Sequence, residues 1–465
     1  MSVIITTQRS NKIRCRYDNR FSAQYYYLME QLNELSKKGE KIFSIEEVSS
    51  TIDSGSYIDA YVDIGLRYLR VGDMKKYIVD MSDSVFISKE KAKSKMVLQQ
   101  GDICFARTQA TFDKLGNFTL IDELNEDETI SQHLSKIHPT KHVSSEYLCA
   151  YLNSKFGKRQ MCIASYGDTR VELTHNQTKE IKVILLDKAT IATIEDNVKQ
   201  LLLCNRNAYR AFREAQEIIN TEFYGVTFKG DLTTTTKDLL IENNLWSPSC
   251  YNPTYIQTIN RIKNGFHYEK LSDLVFPIKK GVEVGSENYL IEMEKSVDDI
   301  PFIRTSDIYN HEIDYAPDYY VSSQIASKNK CPDLRSGDII FSKDGKVGEV
   351  GIINLDNSIV PSSGFAVLRS KGKISNNYLF AILSHKEIIK NQAKMKTVIA
   401  ATIPHLKIEK INDFYVPIFN VDKVKMIDDA ISVFRKNIIE KQGYIHEIEN
   451  ILNSHYDILF KEDII

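Results

Sequence analysis

Arginine, lysine, glutamine, serine and threonine gather in short polar stretches that follow apolar runs. Arg107-Thr108-Gln109-Ala110-Thr111, with Lys114 just beyond, follows Ile103 to Ala106. Arg70 lies within the run Tyr68-Leu69-Arg70-Val71, which reads as a strand, and Gln132-His133 and Tyr166-Gly167-Asp168-Thr169-Arg170 lie further on. In the later half, comparable places hold Lys279-Lys280-Gly281, Arg304 with Ser306, Lys343-Asp344-Gly345-Lys346, Ser362-Ser363 and Lys394-Met395-Lys396. Arg and Lys suit guanine edges and phosphates, and Gln suits adenine. One loop charge by itself is more often simply solvated. It is their recurrence in both halves that favours two nucleic-acid-reading faces.

Catalytic chemistry is harder to find. Asn252-Pro253-Thr254-Tyr255 is close to the Asn-Pro-Pro-Tyr loop of adenine methyltransferases, but no glycine-rich loop for S-adenosylmethionine accompanies it. Pro332-Asp333 with Asp344-Gly345-Lys346 fits the loose pattern of Mg²⁺ nucleases, in which carboxylates hold the metal and a lysine assists. Asp344-Gly345 is also an ordinary turn signal between two strands. No HExxH or GxSxG occurs. The expectation is a chain that is no enzyme and has no metal or cofactor of its own.

The elements that must carry those residues show a repeat. Ile191, Ile194, Val198, Leu201, Asn205, Ala208, Phe212, Ala215 and Ile219 step by three and four, an a/d seam on one long helix. Val424, Ile427, Ile431, Phe434, Ile438, Lys441, Ile445, Ile448 and Leu452 repeat that register further on, and Phe223 maps onto Tyr456. Asn205 and Lys441 are polar seam residues of the kind that fix register. The segments before the helices also correspond. Tyr68 to Met74 lines up with Phe302 to Ile308, Leu98 to Phe105 with Leu334 to Phe341, and Tyr147 to Asn153 with Tyr378 to Ser384. The chain therefore reads as a duplicated, mixed α/β protein. Residues 1–186 form one domain and 187–225 a helix. Residues 226–418 form a connection and a second domain, and 419–465 a second helix.

The 465 residues suit two or three domains. The net charge of −2 requires any basic surface to be local. Seven scattered cysteines without CxxC point to reduced thiols in the cytosol and away from disulfides or zinc. No apolar run approaches the ~20 residues of a membrane span, and no signal-peptide core is present.

The order of parts resembles the specificity subunit of Type I restriction–modification systems, with relatives among Type IIB and IIG enzymes. The matching pieces are Phe302 to Ile308, Ser336-Gly337-Asp338-Ile339-Ile340-Phe341, Lys346-Val347-Gly348-Glu349-Val350-Gly351, and Val416-Pro417 before the second helix. The resemblance implies two target recognition domains, each reading half of a split DNA sequence, separated by an antiparallel coiled coil. It implies one or two methyltransferase subunits as partners, with S-adenosylmethionine bound there, and a restriction endonuclease subunit joining that core. From Ile191 to Ile219 the helix would rise roughly 42 Å, a ruler for half-sites near one turn of about 10 base pairs apart. The competing reading is a repeat scaffold without a DNA role.

Overall fold

The computed structural model describes residues 23–92, 96–109, 117–123, 127–165, 171–225, 241, 248–291, 295–296, 298–356, 358–400 and 403–460. The expectations for Thr111, Lys114, Tyr166, Thr169 and Arg170 lie outside these residues, as does the polar connection around Thr233 to Thr236. The chain divides into two compact units, Met1–Leu203 with Lys441–Ile465, and Cys204–Glu440. Both divisions fall inside a long helix.

The first unit opens with α1 (Ala23–Lys37), β1 (Lys41–Ser44), α2 (Ile45–Val48), β2 (Ser49–Ser54), β3 (Leu66–Leu69) and β4 (Phe86–Ile87). Then come β5 (Ile103–Ala106), β6 (Thr108–Gln109), β7 (Phe118–Leu120), β8 (Glu128–Ile130) and β9 (Leu134–Pro139). It continues through α3 (Ser145–Asn153), α4 (Lys155–Ala164), β10 (Val171–Glu172), α5 (His175–Glu180), β11 (Lys182–Leu185) and α6 (Lys188–Gly225). One sheet runs β2-β9-β5-β7, and β3 lies between β4 and a parallel β8. The residues from Ser145 to Ala164 form two helices. Ser144 caps α3, and Ser154, in extended conformation, ends α3 and caps α4 through the Gly157 N–H.

The second unit holds α7 (Pro253–Gly265), β12 (His267–Lys270), α8 (Leu271–Leu274), β13 (Lys279–Lys280), β14 (Leu290–Ile291), β15 (Ile300–Ile303), β16 (Ile308–Tyr309), β17 (Glu312–Ile313), β18 (Tyr319–Val321) and α9 (Ser323–Lys328). It continues with β19 (Ile339–Ser342), β20 (Val350–Ile352), β21 (Val360–Pro361), β22 (Phe365–Leu368), α10 (Asn376–Leu383), α11 (Ile388–Lys396), β23 (Val398–Ala400), β24 (Ile403–His405), α12 (Ile408–Asn412), β25 (Tyr415–Ile418) and α13 (Val421–Phe460). Its sheets match the first: β13-β22-β19-β20, and β15 parallel to β21.

The duplication extends to single hydrogen bonds. Gln160 accepts from the Lys182 N–H at 2.9 Å and donates to the Lys182 carbonyl at 2.8 Å. Gln392 does the same to Tyr415, at 2.7 and 2.9 Å. Tyr147 donates to the Ile184 carbonyl and Tyr378 to that of Pro417. Asp102 accepts from the Gln99 N–H and Asp338 from that of Arg335, each closing a turn whose next-to-last residue, Gly101 or Gly337, has positive φ. Asp102 is then held by Lys136 and His138, and Asp338 by Arg369.

Along the seams, Ile194, Val198, Leu201, Phe212, Ile219, Ile427, Ile431, Phe434, Ile438, Ile448 and Leu452 are buried. Ile191, Asn205, Val424 and Ile445 are half-buried. Lys441 is buried. Within the second unit the helices run antiparallel. Cys204 meets Glu440, Phe212 packs on Phe434 with ring centroids 5.6 Å apart, and Glu222 pairs with Lys423 at 3.1 Å. Phe212 also carries the half-buried His311 ring at 4.2 Å. In the first unit, residues 441–460 of α13 bring Glu449 to Lys76 and stack Tyr456 on Phe156 at 4.9 Å.

Candidate nucleic-acid interface

In each unit the C-terminal ends of several strands converge on one short segment. In the second unit that segment is Ser362 to Phe365. The Ser362 N–H bonds the Ile303 carbonyl at the end of β15, and the Lys343 N–H, just past β19, bonds the Gly364 carbonyl. The Gly281 N–H, just past β13, bonds the Phe365 carbonyl. In the first unit the segment is Ser131 to Leu134, which receives the Ser131–Leu69, Arg107–His133 and Gly55–Leu134 bonds in the same pattern.

This convergence collects Lys279, Lys280, Arg304, Ser306, Lys343, Lys346, Ser362 and Ser363 at one end of the second unit's sheets. It collects Arg70, Arg107, Thr108, Gln109, Gln132 and His133 at the corresponding end of the first. Lys279, Lys280, Ser306, Lys346 and Lys394 are exposed. Lys343, Lys396 and Thr108 correct the expectation of solvent-facing loop side chains, because all three are buried. The Lys343 ammonium folds onto Asp344 at 2.6 Å. Lys394 and Lys396 end α11, which leads into the β23–β24 hairpin.

The two arginines occupy equivalent places and are fixed in the same way. The Arg70 N–H bonds the Asp73 carboxylate at 2.7 Å, and the Arg304 N–H bonds that of Asp307 at 2.8 Å. Each opens a 3₁₀ turn instead of continuing its strand. Burial raises both carboxyls above the usual Asp range. The guanidiniums then diverge. Arg70 reaches the Asp83 carbonyl at 2.8 Å, while Arg304 lies 4.2 Å over the Tyr319 ring and pairs with Asp318 at 3.3 Å. Ser306 donates to Asp307, and Ser363 to Glu283.

The next strand exit differs more. In the first unit, the Leu173 N–H bonds the Arg107 carbonyl, and Glu172 pairs with Thr108 across β10 and β6. Arg107 donates to Glu172 at 2.8 Å and to the Gln132 carbonyl at 3.2 Å. In the second unit, the Leu406 N–H bonds the Lys343 carbonyl, and His405 bridges Asp344. There the Asp344 carboxylate takes Lys343 on one oxygen and His405 Nδ1 on the other. The frame is shared and both exits carry a base, Arg107 or Lys343, while the facing strand offers Glu172 in the first unit and His405 in the second. His405 does not figure among the residues singled out from the sequence, and Asp344 does so only within its polar stretch and the nuclease-like pattern. Their pairing across 61 positions leaves no periodic trace.

The nuclease-like pattern is not assembled. Asp333 precedes β19 and Asp344 follows it, so they flank a four-residue strand of ~13 Å. Asp333 pairs with Arg335. Among the described residues no group of three or more His, Cys, Asp or Glu could hold a metal ion. Asn252 serves as the N-cap of α7, its side chain accepting from the Thr254 N–H with Pro253 at the first helical position. Among the described residues no helix is long and apolar enough to cross a membrane.

Residues 270–450 match the family model of the Type I restriction modification DNA specificity domain. Among solved structures, the S subunit of the Type I restriction-modification system from M. genitalium is 13% identical, with 90% of this chain and 95% of that chain covered and a TM-score of 0.37. The HsdS subunit from Thermoanaerobacter tengcongensis is 16% identical, with 91% and 97% covered and a TM-score of 0.29. A structure describing complex assembly and conformational transition of the type I R-M system is 15% identical, with 89% and 97% covered and a TM-score of 0.30. No curated protein matches the chain.

Proposed function

We infer that this chain is the specificity subunit of a Type I restriction–modification assembly, reading a split sequence in double-stranded DNA. The observation that carries the reading is the specificity-domain match over the second unit, joined to an internal repeat that rebuilds the same strand-end frame in the first with different polar side chains. Recognition varies where loops differ on a common frame. The chain supplies sequence reading and no chemistry. Base modification belongs to one or two methyltransferase subunits that bind S-adenosylmethionine, and cleavage to an endonuclease subunit.

The test is to purify the chain with its methyltransferase partner, titrate duplex binding against salt, and map the modified adenines. A DNA reader loses affinity steeply as salt rises, and the modified bases should fall in a two-part site. Absence of duplex binding, with the methyltransferase bound, would leave the scaffold reading in its place.

A further inference from the structure

We propose that His405 is a specificity-determining residue of the second unit, aimed at the DNA bases by Asp344. The inference rests on the DNA-reading function above.

His405 lies on β24, beside the Lys343–Gly345 strand exit that joins the convergent segment. Its side chain is 44% exposed. Nδ1 is engaged by the Asp344 carboxylate, so this nitrogen carries the proton and donates it. The carboxylate is itself anchored by the buried Lys343 ammonium. Among the described residues Nε2 has no partner. An imidazole held at one nitrogen presents the other on the opposite side of the ring, with its rotation and tautomer fixed. Neutral, that Nε2 is an acceptor suited to the exocyclic amine of adenine or cytosine.

The segment beside Asp344 is closely packed: a Cβ built at Gly364 would lie 3.1 Å from Thr305 Cγ2, 3.7 Å from Ser362 Oγ and 3.8 Å from Asp344 Cβ, so only glycine fits there without displacing Thr305. In the first unit the place of His405 is taken by Glu172, held by Arg107 at the place of Lys343. Two unlike, internally braced groups at one place on one frame are what two different half-sites require.

The experiment uses the full chain with its methyltransferase subunit and two labelled duplexes. One carries the mapped target, and the other has the half-site read by the second unit scrambled. His405→Ala should weaken binding to the target about tenfold, the low end of discrimination by a directed base contact. It should leave the scrambled duplex unaffected. His405→Gln, which keeps a hydrogen-bonding tip near Nε2, should stay within about threefold of wild type. Unchanged affinity of His405→Ala on both duplexes overturns the proposal. So does an equal loss on both, which would mark a phosphate contact or a folding defect. If wild type binds neither duplex, the DNA-reading function itself fails.

Discussion

A methyl group on Gly281 would sit 2.1 Å from the Ser362 carbonyl oxygen, and one on Gly55 would sit 2.0 Å from that of Ile130. Both glycines mark the place where one strand end crosses against the convergent segment, so backbone approaches backbone. Gly281→Ala should cost about 1–3 kcal/mol through overpacking, read as a lowered urea midpoint, with solubility retained. Two histidines make a second residue-scale prediction. Burial holds His311 down to about 3 and His385 down to about 4, both from near 6.5. His385 Nδ1 accepts from the Glu387 and Ile388 N–H groups, which fixes the neutral ring. As pH falls below 6.5 the unfolded chain takes up these protons and the folded second unit does not. Stability contributed by the neutral rings is therefore full above pH 6.5 and is lost on acidification toward pH 4, by roughly 1 kcal/mol per pH unit for each ring. Urea unfolding between pH 7 and 4.5 measures this. Replacing His311 by Asn, which tolerates the positive φ at that position, should flatten part of the slope.

At the scale of elements, the long helices hold the deepest packing. Ile431 is fully buried in the second unit's main core, so Ile431→Ala should cost about 2–5 kcal/mol. The exposed Lys436→Ala on the same helix should stay within about 0.5 kcal/mol. Thermal melts of the two variants compare them. The heptads were legible because a seam repeats every 3.5 residues over 38 or 40 positions. The strands were legible as short apolar runs, though Arg70 and Arg304 turned out to cap turns. The site was only half legible. Loop cations could be listed, but burial decided their roles. Lys343 and Lys396 lie inside, because the packing that covers a strand exit or a helix end is set by residues far away in the chain. His405 looked like any isolated histidine until β24 was paired beside Asp344.

At the scale of the whole molecule, the methyltransferase dock is expected on the outer face of α6. Arg210 and Arg213 are exposed there, with the Arg213 guanidinium 5.2 Å over Tyr209. Changing Arg206, Arg210 and Arg213 together to Ala should leave the fold intact and reduce co-purification of the methyltransferase subunit. Unchanged recovery removes this face from the dock. The division of the chain into Met1–Leu203 with Lys441–Ile465, around Cys204–Glu440, also bears on synthesis. The second unit is one continuous stretch and has all of its residues as soon as Glu440 leaves the ribosome. The first waits for its remaining helix: Tyr456 fills the pocket beside Tyr151 and Phe156, and Glu449 meets Lys76. The half translated first is thus completed last, and must stay open while more than two hundred residues are made. A fragment of residues 204–440 should melt cooperatively on its own. A fragment of residues 1–203 should do so only when a peptide of residues 441–465 is supplied.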